Sequence, residues 1–268
     1  LRKARQSADN HYPDVPALHL PEFDGMEDSN EWTAEITIPF PRLHKFVKAN
    51  EISPLTLLMA AICHAVYRTY YVGTDRKDAI VAEVPMDLRT YIKSPTVRFF
   101  VALLDLPFHY EYISLPIVGA AQKMSEYFDT QRALPHAAFW ALKNAARVQN
   151  GHQADMPIDE KEQMMREQAR AYIRRDSFIL TNIGPFRVPV SMEPYIEDYG
   201  AILPCAHQPF GVLVSSYRDT LKISLSQRDA RPDMMNHLVD VLGELGFPAR
   251  TKRYEFHVTR YDGKHLAK

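Results

Sequence analysis

The sequence predicts an α/β (α+β) fold, in which helices pack on a mixed, largely antiparallel sheet of about six strands. Helical and strand-like segments interleave along the chain without a strict βαβ rhythm, which argues against an all-parallel sheet. Hydrophobic residues make up 46% of the 268 positions, enough for a substantial core. The net charge of -1 lacks the basic excess of a nucleic-acid-binding protein.

The individual elements follow from apolar periodicity and from turn and cap residues. The predicted strands are β-branched or alternating runs at 31–40, 79–85, 97–108, 177–184 and 200–207, with a hairpin at 211–227 that turns near Arg218 and Asp219. The predicted helices occupy 41–51, 55–71, 117–131, 135–149, 159–176 and 233–246. Gly246 marks the expected end of the last helix.

The helix at 55–71 has the strongest local signals. Ser53 and Pro54 form a helix start, with serine as N-cap and proline in the first turn. The residues that follow are apolar nearly all round, so this helix is predicted to lie in the interior. His64 falls within it and is interpreted as a core histidine with its hydrogen bonds satisfied.

Composition divides the chain into three parts. Residues 1–31 contain three prolines and no lasting period, so they are predicted to be a linker or lead-in segment. Residues 32–248 form the folded lobe, and 249–268 form a basic C-terminal tail with room for one edge strand. The start at Leu1 suggests a piece of a longer protein.

Cysteine usage and hydropathy bear on the cellular setting. Cys63 and Cys205 lie far apart and match no metal spacing, which favours buried thiols in a reduced, cytoplasmic setting. The longest apolar stretch, 55–67, is too short and too interrupted to span a bilayer, and no signal peptide is evident.

Self-contained catalytic motifs are absent from the sequence. The chain holds no GxGxxG, Walker A, HExxH, CxxC or GxSxG pattern. We therefore predict no metal site and no tightly bound cofactor. On residue chemistry alone, the chain is a soluble α/β domain.

One segment, "SFILTNIGPF" at 177–186, places hydrogen-bonding groups after an apolar run. Thr181 and Asn182 are predicted to lie at the end of a strand, because Gly184 and Pro185 disfavour simple continuation. We expect both side chains beside a groove and not in a closed core.

Several segments, in order, resemble the C-terminal half of the condensation-domain and alcohol-acetyltransferase-like superfamily, which shares the chloramphenicol acetyltransferase fold. "SPLTLLMAAICHAVYRTY" resembles the first long helix of that half. "VPMDLRTYIKSPTVRFFVALL" is similar to its Pro-x-(Asn/Asp)-Leu-Arg element and Phe-rich strand, and "LTNIG" resembles its (Ser/Thr)-Asn-(Ile/Leu/Val)-Gly signature. "FGVLVSSYRDTLKISLSQR" resembles the hairpin that follows, so the resemblance covers about 30–248.

The resemblance implies a two-lobed acyltransferase of which this chain is the C-terminal lobe. The catalytic His-His-x-x-x-Asp-Gly motif of the family belongs to the N-terminal half and is absent here. In the family, a histidine acts as general base on a hydroxyl or amine acceptor. The acceptor attacks a thioester carried by coenzyme A or by carrier-protein phosphopantetheine. The partners implied are therefore the N-terminal lobe, the acyl donor and a small acceptor.

The resemblance also assigns candidate roles to residues of this chain. Thr181 or Asn182 would donate a hydrogen bond to the oxyanion of the tetrahedral intermediate; alternatively, both only satisfy backbone groups in the turn before Gly184. Arg89, with Asp87 beside it, would hold the two lobes in register, or would be a surface arginine. His207 is the remaining histidine near the expected thioester tunnel, although no orienting carboxylate accompanies it.

Two alternatives to the coenzyme A-dependent acyltransferase stay open. The first is a non-catalytic interaction or scaffold module that keeps the fold without the base. The second is half of a nonribosomal-peptide condensation domain fed by carrier proteins. On any of these hypotheses the isolated chain lacks the general base, so we predict that residues 1–268 alone catalyse no appreciable acyl transfer.

Overall fold

A computed structural model describes residues 16–23, 30–91, 93, 95, 97, 100–133, 156–173, 175–205 and 208–256, with a few isolated positions between 136 and 149. The strands are β1 (Glu31–Pro39), β2 (Ile80–Asp87), β3 (Val101–Phe108), β4 (Phe178–Pro185), β5 (Phe210–Tyr217), β6 (Thr220–Gln227) and β7 (Arg250–Phe256). The helices are α1 (Phe40–Ala49), α2 (Pro54–Tyr70), α3 (Ile117–Gln131), α4 (Ile158–Ile173) and α5 (Asp233–Glu244).

The seven strands form one mixed sheet in the order β3–β2–β4–β5–β6–β1–β7. The β2–β4 and β4–β5 pairs are parallel. The other four pairs are antiparallel, which confirms the predicted fold class. The outermost strand, β7, pairs with β1 and lies in the C-terminal segment 249–268, where the sequence left room for one edge strand.

Successive side chains of each strand point to opposite faces of the sheet, so the two faces differ in composition. One face carries Ile36, Val84, Leu180, Val212 and Ile223, and it joins the helices in one hydrophobic core. Helix α2 lies at the centre of this core: its residues from Thr56 to Val66 are all buried, as the all-round apolar sequence predicts. The Thr56 N–H donates to Ser53 Oγ at 3.1 Å, which confirms the predicted N-cap.

The second face of the sheet is more polar and is crossed by the segment 186–205. Lys222 on β6 is almost fully buried, and its Nζ lies 3.1 Å from Glu35 Oε1 and 2.6 Å from Asp198 Oδ2. The Tyr217 hydroxyl donates to the Ile196 carbonyl at 3.0 Å. These contacts tie the segment to the sheet.

One prediction about an irregular segment is wrong. The strand expected at 200–207 does not form over its described residues, 200–205, where Cys205 N–H donates to the Glu31 carboxylate at 3.2 Å in place of a strand partner. Part of the lead-in segment also packs on the fold: Leu18 and Leu20 are buried, and the Leu18 N–H donates to the Ala79 carbonyl at 2.7 Å. The helix predicted at 135–149 lies largely outside the described residues.

Candidate functional site: the crevice between β2 and β4

Four of the predicted site residues lie at one edge of the sheet. Strands β2 and β4 are parallel, so their carboxyl ends point to the same edge. Asp87 ends β2 and Arg89 follows it, while Thr181 and Asn182 lie in the middle of β4. The fold thus brings together on neighbouring strands two segments that are almost a hundred residues apart.

The two strands pair over only a short length. The β2–β4 register contains two residue pairs, Ala82 with Phe178 and Glu83 with Ile179. Beyond Ile179, β4 keeps pairing with β5 as far as Pro185 but no longer with β2. We call the region in which the two strands no longer pair, between Val84–Asp87 of β2 and Leu180–Pro185 of β4, the crevice.

Thr181 lies in β4 on the wall of this crevice. It is half-buried and stands opposite Leu213 of β5 in the register. No side chain or backbone group among the described residues hydrogen-bonds its hydroxyl. A partly exposed hydroxyl without a protein partner is available as a donor to a bound molecule.

Asn182 lies next to a β-bulge and not at the end of a strand. The register shifts between Asn182 and Gly184, and β4 continues to Pro185, so the predicted strand end is wrong. Gly184 has φ +71°, a left-handed conformation that suits glycine. The Gly184 N–H donates to Asn182 Oδ1 at 2.9 Å, so the side-chain carbonyl of Asn182 serves the local backbone while the residue stays exposed.

Arg89 and Asp87 form a local ion pair. Arg89 Nη1 lies 3.0 Å from Asp87 Oδ1, and that oxygen also accepts the Arg89 N–H at 2.9 Å. Both side chains remain partly exposed, and the carboxylate caps the short 3₁₀ turn from Leu88 to Thr90. Asp87 thus orients the guanidinium at the mouth of the crevice.

Of the two histidines singled out from the sequence, the structure describes His64 only. His207 lies outside the described residues. His64 is buried in α2 against the edge of Phe108, and burial lowers its pKa to about 4. Its Nε2 has no hydrogen-bond partner among the described residues, so the prediction that its hydrogen bonds are satisfied is wrong.

A buried group of three carboxyls was not predicted from the sequence. Glu83 on β2 stands opposite Asp105 on β3, and Asp176 comes just before β4. No N–H or O–H among the described residues donates to either oxygen of Asp176, and the groups within hydrogen-bonding reach are the carboxyls of Glu83 and Asp105. Burial and these two neighbours raise the pKa of Asp176 to about 10. One carboxyl therefore holds a proton at neutral pH.

The sequence does contain a signal for this cluster. Glu83 and Asp105 are each the single acid inside an otherwise apolar strand, in "AIVAEVP" and "VALLDLPF". An acid in a buried strand requires a partner or a proton. Asp176 has no such signature, because it stands beside the basic pair Arg174 and Arg175.

The described residues include no group of three or more His, Cys, Asp or Glu side chains arranged to hold a metal ion. No single described helix is both long and apolar enough to cross a membrane. Helices α1 and α2 have the required length and composition only when they are taken together, and they are bent by 99° relative to each other.

Comparison with known proteins relates the fold to condensation and epimerization domains. No protein-family model and no curated protein sequence matches the chain. Among solved structures, the condensation domain that mediates chain release from the enacyloxin polyketide synthase matches with a TM-score of 0.50 and 16% identity, over 81% of this chain and 41% of that one. The epimerization domain from the third module of tyrocidine synthetase B matches with a TM-score of 0.53 and 11% identity, over 91% and 54%.

A third match also combines low sequence identity with similarity to only part of the matched structure. The nonribosomal peptide synthetase FmoA3, in its AMPPNP-bound form, gives a TM-score of 0.55 and 13% identity over 91% of this chain and 24% of that one. In each case the chain spans about half or less of the structure that it matches. The comparisons confirm the resemblance at the level of fold: the chain folds like part of a condensation domain.

Proposed function

We propose that this chain is the C-terminal lobe of a two-lobed acyltransferase, which moves an acyl group from a thioester to a hydroxyl or amine acceptor. The general base, a histidine in the His-His-x-x-x-Asp-Gly motif, belongs to the N-terminal lobe of the same protein. Coenzyme A carries the donor acyl group as a dissociable substrate. The protein works in the cytoplasm, consistent with two buried, unpaired cysteines.

The observation that carries this proposal is the crevice with Thr181 on its wall. A tetrahedral intermediate bears an oxyanion, and a fixed hydroxyl donor lowers the barrier only if it is held in place before the reaction. Thr181 is held by the β4–β5 ladder, and none of the described residues uses its hydroxyl. The Gly184 N–H occupies only the Oδ1 of Asn182, so its Nδ2–H₂ group could still donate. Of the two oxyanion candidates, Thr181 is the better because it is half-buried, whereas Asn182 is exposed and water competes for its hydrogen bonds.

A carrier-protein-fed condensation domain is the second candidate. The matches to a polyketide-synthase condensation domain and to nonribosomal peptide synthetases support it. In that case the same crevice would face a phosphopantetheine thioester attached to a protein. The scaffold alternative has the least support, because a module without catalysis has no need of an open donor at the crevice.

The test is Thr181→Ala in the protein that carries both lobes, assayed by thiol release from short acyl-CoA substrates. Loss of an oxyanion donor lowers kcat by ~10²-fold or more and leaves KM nearly unchanged, because the donor acts in the transition state. Thr130→Ala is the matched control, since Thr130 is exposed on α3 and its hydroxyl donates only to the Glu126 carbonyl of its own helix. Equal kcat values for the two variants would exclude Thr181 from the oxyanion site.

A further inference from the structure

We propose that the carboxyls of Glu83, Asp105 and Asp176 form a proton-held joint between β2 and β4, and that loss of the shared proton lets the two strands separate. We call these three residues, with the two β2–β4 residue pairs beside them, the carboxyl joint. It lies where the paired part of the two strands meets the crevice, so it sets the spacing of the strands there. The inference goes beyond the proposed acyl transfer, since it concerns how the sheet is held together.

The β2–β4 pairing is the shortest of the strand pairings that the structure describes. Its register contains two residue pairs, whereas β2 pairs with β3 over its whole length and β4 pairs with β5 from Ile179 to Pro185. Two further hydrogen bonds cross it: the Ser177 N–H donates to the Val81 carbonyl at 2.7 Å, and the Val81 N–H donates to Ser177 Oγ at 3.0 Å. Few main-chain bonds therefore oppose the separation of β3 and β2 from the other five strands.

The three carboxyls come from both sides of this pairing. Glu83 on β2 stands opposite Asp105 on β3, and Asp176 directly precedes Ser177, just before β4. Glu83 and Asp105 are each 7% exposed, and Asp176 is 6% exposed. Asp176 thus brings a buried carboxyl from the β4 side against two buried carboxyls from the β2 side.

A proton turns this contact from repulsive to attractive. No N–H or O–H among the described residues donates to either oxygen of Asp176. The charged groups among them that act on Asp176 are the carboxyls of Glu83 and Asp105, while the neighbouring cation in the sequence, Arg175, is exposed. Three ionised carboxyls repel one another strongly at low dielectric, whereas a protonated Asp176 donates its O–H to a carboxylate. The proton is therefore the group that bridges the two sides.

Opening of the carboxyl joint is coupled to release of this proton. In the closed joint, burial and the two neighbouring carboxyls raise the pKa of Asp176 to about 10. In an opened joint, water reaches the carboxyl and its pKa returns towards the ordinary value of about 3.9. Between these limits the opened joint binds one proton fewer, so the equilibrium constant for opening rises by up to about tenfold per pH unit. The closed joint is thus most stable at low pH and weakens as the pH rises.

The experiment measures hydrogen exchange of two main-chain amides by NMR in the 268-residue chain, between a pH of about 6 and about 9. The Ser177 N–H reports on the carboxyl joint, because its bond to Val81 crosses from β4 to β2. The Phe186 N–H is the matched control: it donates to the Ser216 carbonyl, also at 2.7 Å, on the β5 side of β4. Each rate is compared with the rate of an unstructured peptide at the same pH.

We expect the protection of the Ser177 amide to fall by up to about tenfold per pH unit, and that of the Phe186 amide to change much less. The difference arises because only the Ser177 bond breaks when the carboxyl joint opens. Equal pH slopes at the two amides would overturn the inference, since no opening local to the carboxyl joint would then depend on the proton.

Asp176→Asn tests the proton itself. The asparagine amide donates to the same carboxylates and has no proton to lose in this range, so the Ser177 amide should lose most of its pH dependence. Asp219→Asn, which removes an exposed acid from the hairpin turn, should leave that dependence as in the wild type. An Asp176→Asn protein that keeps the wild-type slope would contradict the proposal. Neither experiment uses a substrate, so the carboxyl joint and the proposed acyl transfer can fail independently.

Discussion

Asp176→Asn should stabilise the protein, although it replaces a buried polar side chain. The Asp176 carboxyl faces the carboxyls of Glu83 and Asp105, and burial together with these neighbours raises its pKa to about 10. Burial, followed by the charge of Asp105, also raises the pKa of Glu83. Asparagine is close to a protonated aspartic acid in shape, and its amide can donate to the same two carboxylates without taking up a proton.

The size of the expected stabilisation follows from the linkage between proton binding and folding. In the unfolded chain Asp176 ionises near its ordinary pKa of about 3.9, whereas the folded protein keeps the proton up to a pH of about 10. The folded state thus binds one proton more, and the free energy of unfolding falls by up to about 1.4 kcal/mol per pH unit between these limits. At neutral pH the accumulated cost has an upper limit of about 4 kcal/mol, so we expect Asp176→Asn to stabilise by about 1–4 kcal/mol.

The assay is urea unfolding of wild type and variant at several pH values between about 6 and 9. The stability difference should grow with pH, because only the wild type carries the linkage. Asp219→Asn is the control for removing an acid, since Asp219 is exposed in the hairpin turn. A variant that is less stable than the wild type, or an unchanged pH slope, would refute the reasoning and show that Asp176 is ionised and paired.

Two further substitutions test other charged contacts. Lys222→Met should destabilise the chain by about 2–4 kcal/mol in urea unfolding, because it leaves the mostly buried Glu35 carboxylate without its cation. Lys123→Met breaks an exposed pair and should cost less than about 1 kcal/mol, so similar losses for the two variants would contradict this reasoning. Arg89→Ala should change the stability of the isolated chain by less than about 1 kcal/mol, because its pair with Asp87 is partly exposed. In the two-lobed protein the same change should lower activity or stability further, and an identical effect in both forms would argue against an inter-lobe role.

Where the apolar pattern and the packing agree, the sequence was sufficient to place a helix. The helix predicted at 117–131 has those bounds in the structure, and the one predicted at 55–71 is Pro54–Tyr70. The first buries Ala120, Ala121 and Met124 and the second is buried from Thr56 to Val66, so local preference and tertiary packing favour the same state. The hairpin turn at Arg218 and Asp219 was predicted for the same reason, and Arg218 adopts φ +51° there.

The errors occur where long-range contacts decide the structure. The run at 200–205 is strand-like in composition, but the segment is held across the sheet by the Asp198–Lys222 and Cys205–Glu31 contacts. Thr181 and Asn182 were identified from the sequence and were expected beside a groove, but the strand on the other side of it was not predicted. That strand is β2, and no local pattern reveals that it becomes the neighbour of β4 and pairs with it over only two residues.

The most direct test of the central claim is thiol release from a panel of short acyl-CoA substrates, measured with the isolated chain and with the protein that carries both lobes. Removal of a general base typically costs ~10²–10⁴ in rate, and the isolated chain would also lack half of the donor site. We therefore predict acyl transfer by the two-lobed protein and no appreciable transfer by residues 1–268 alone. Robust turnover by the isolated chain that is abolished by His207→Ala would contradict the account, because it would place the general base in this lobe.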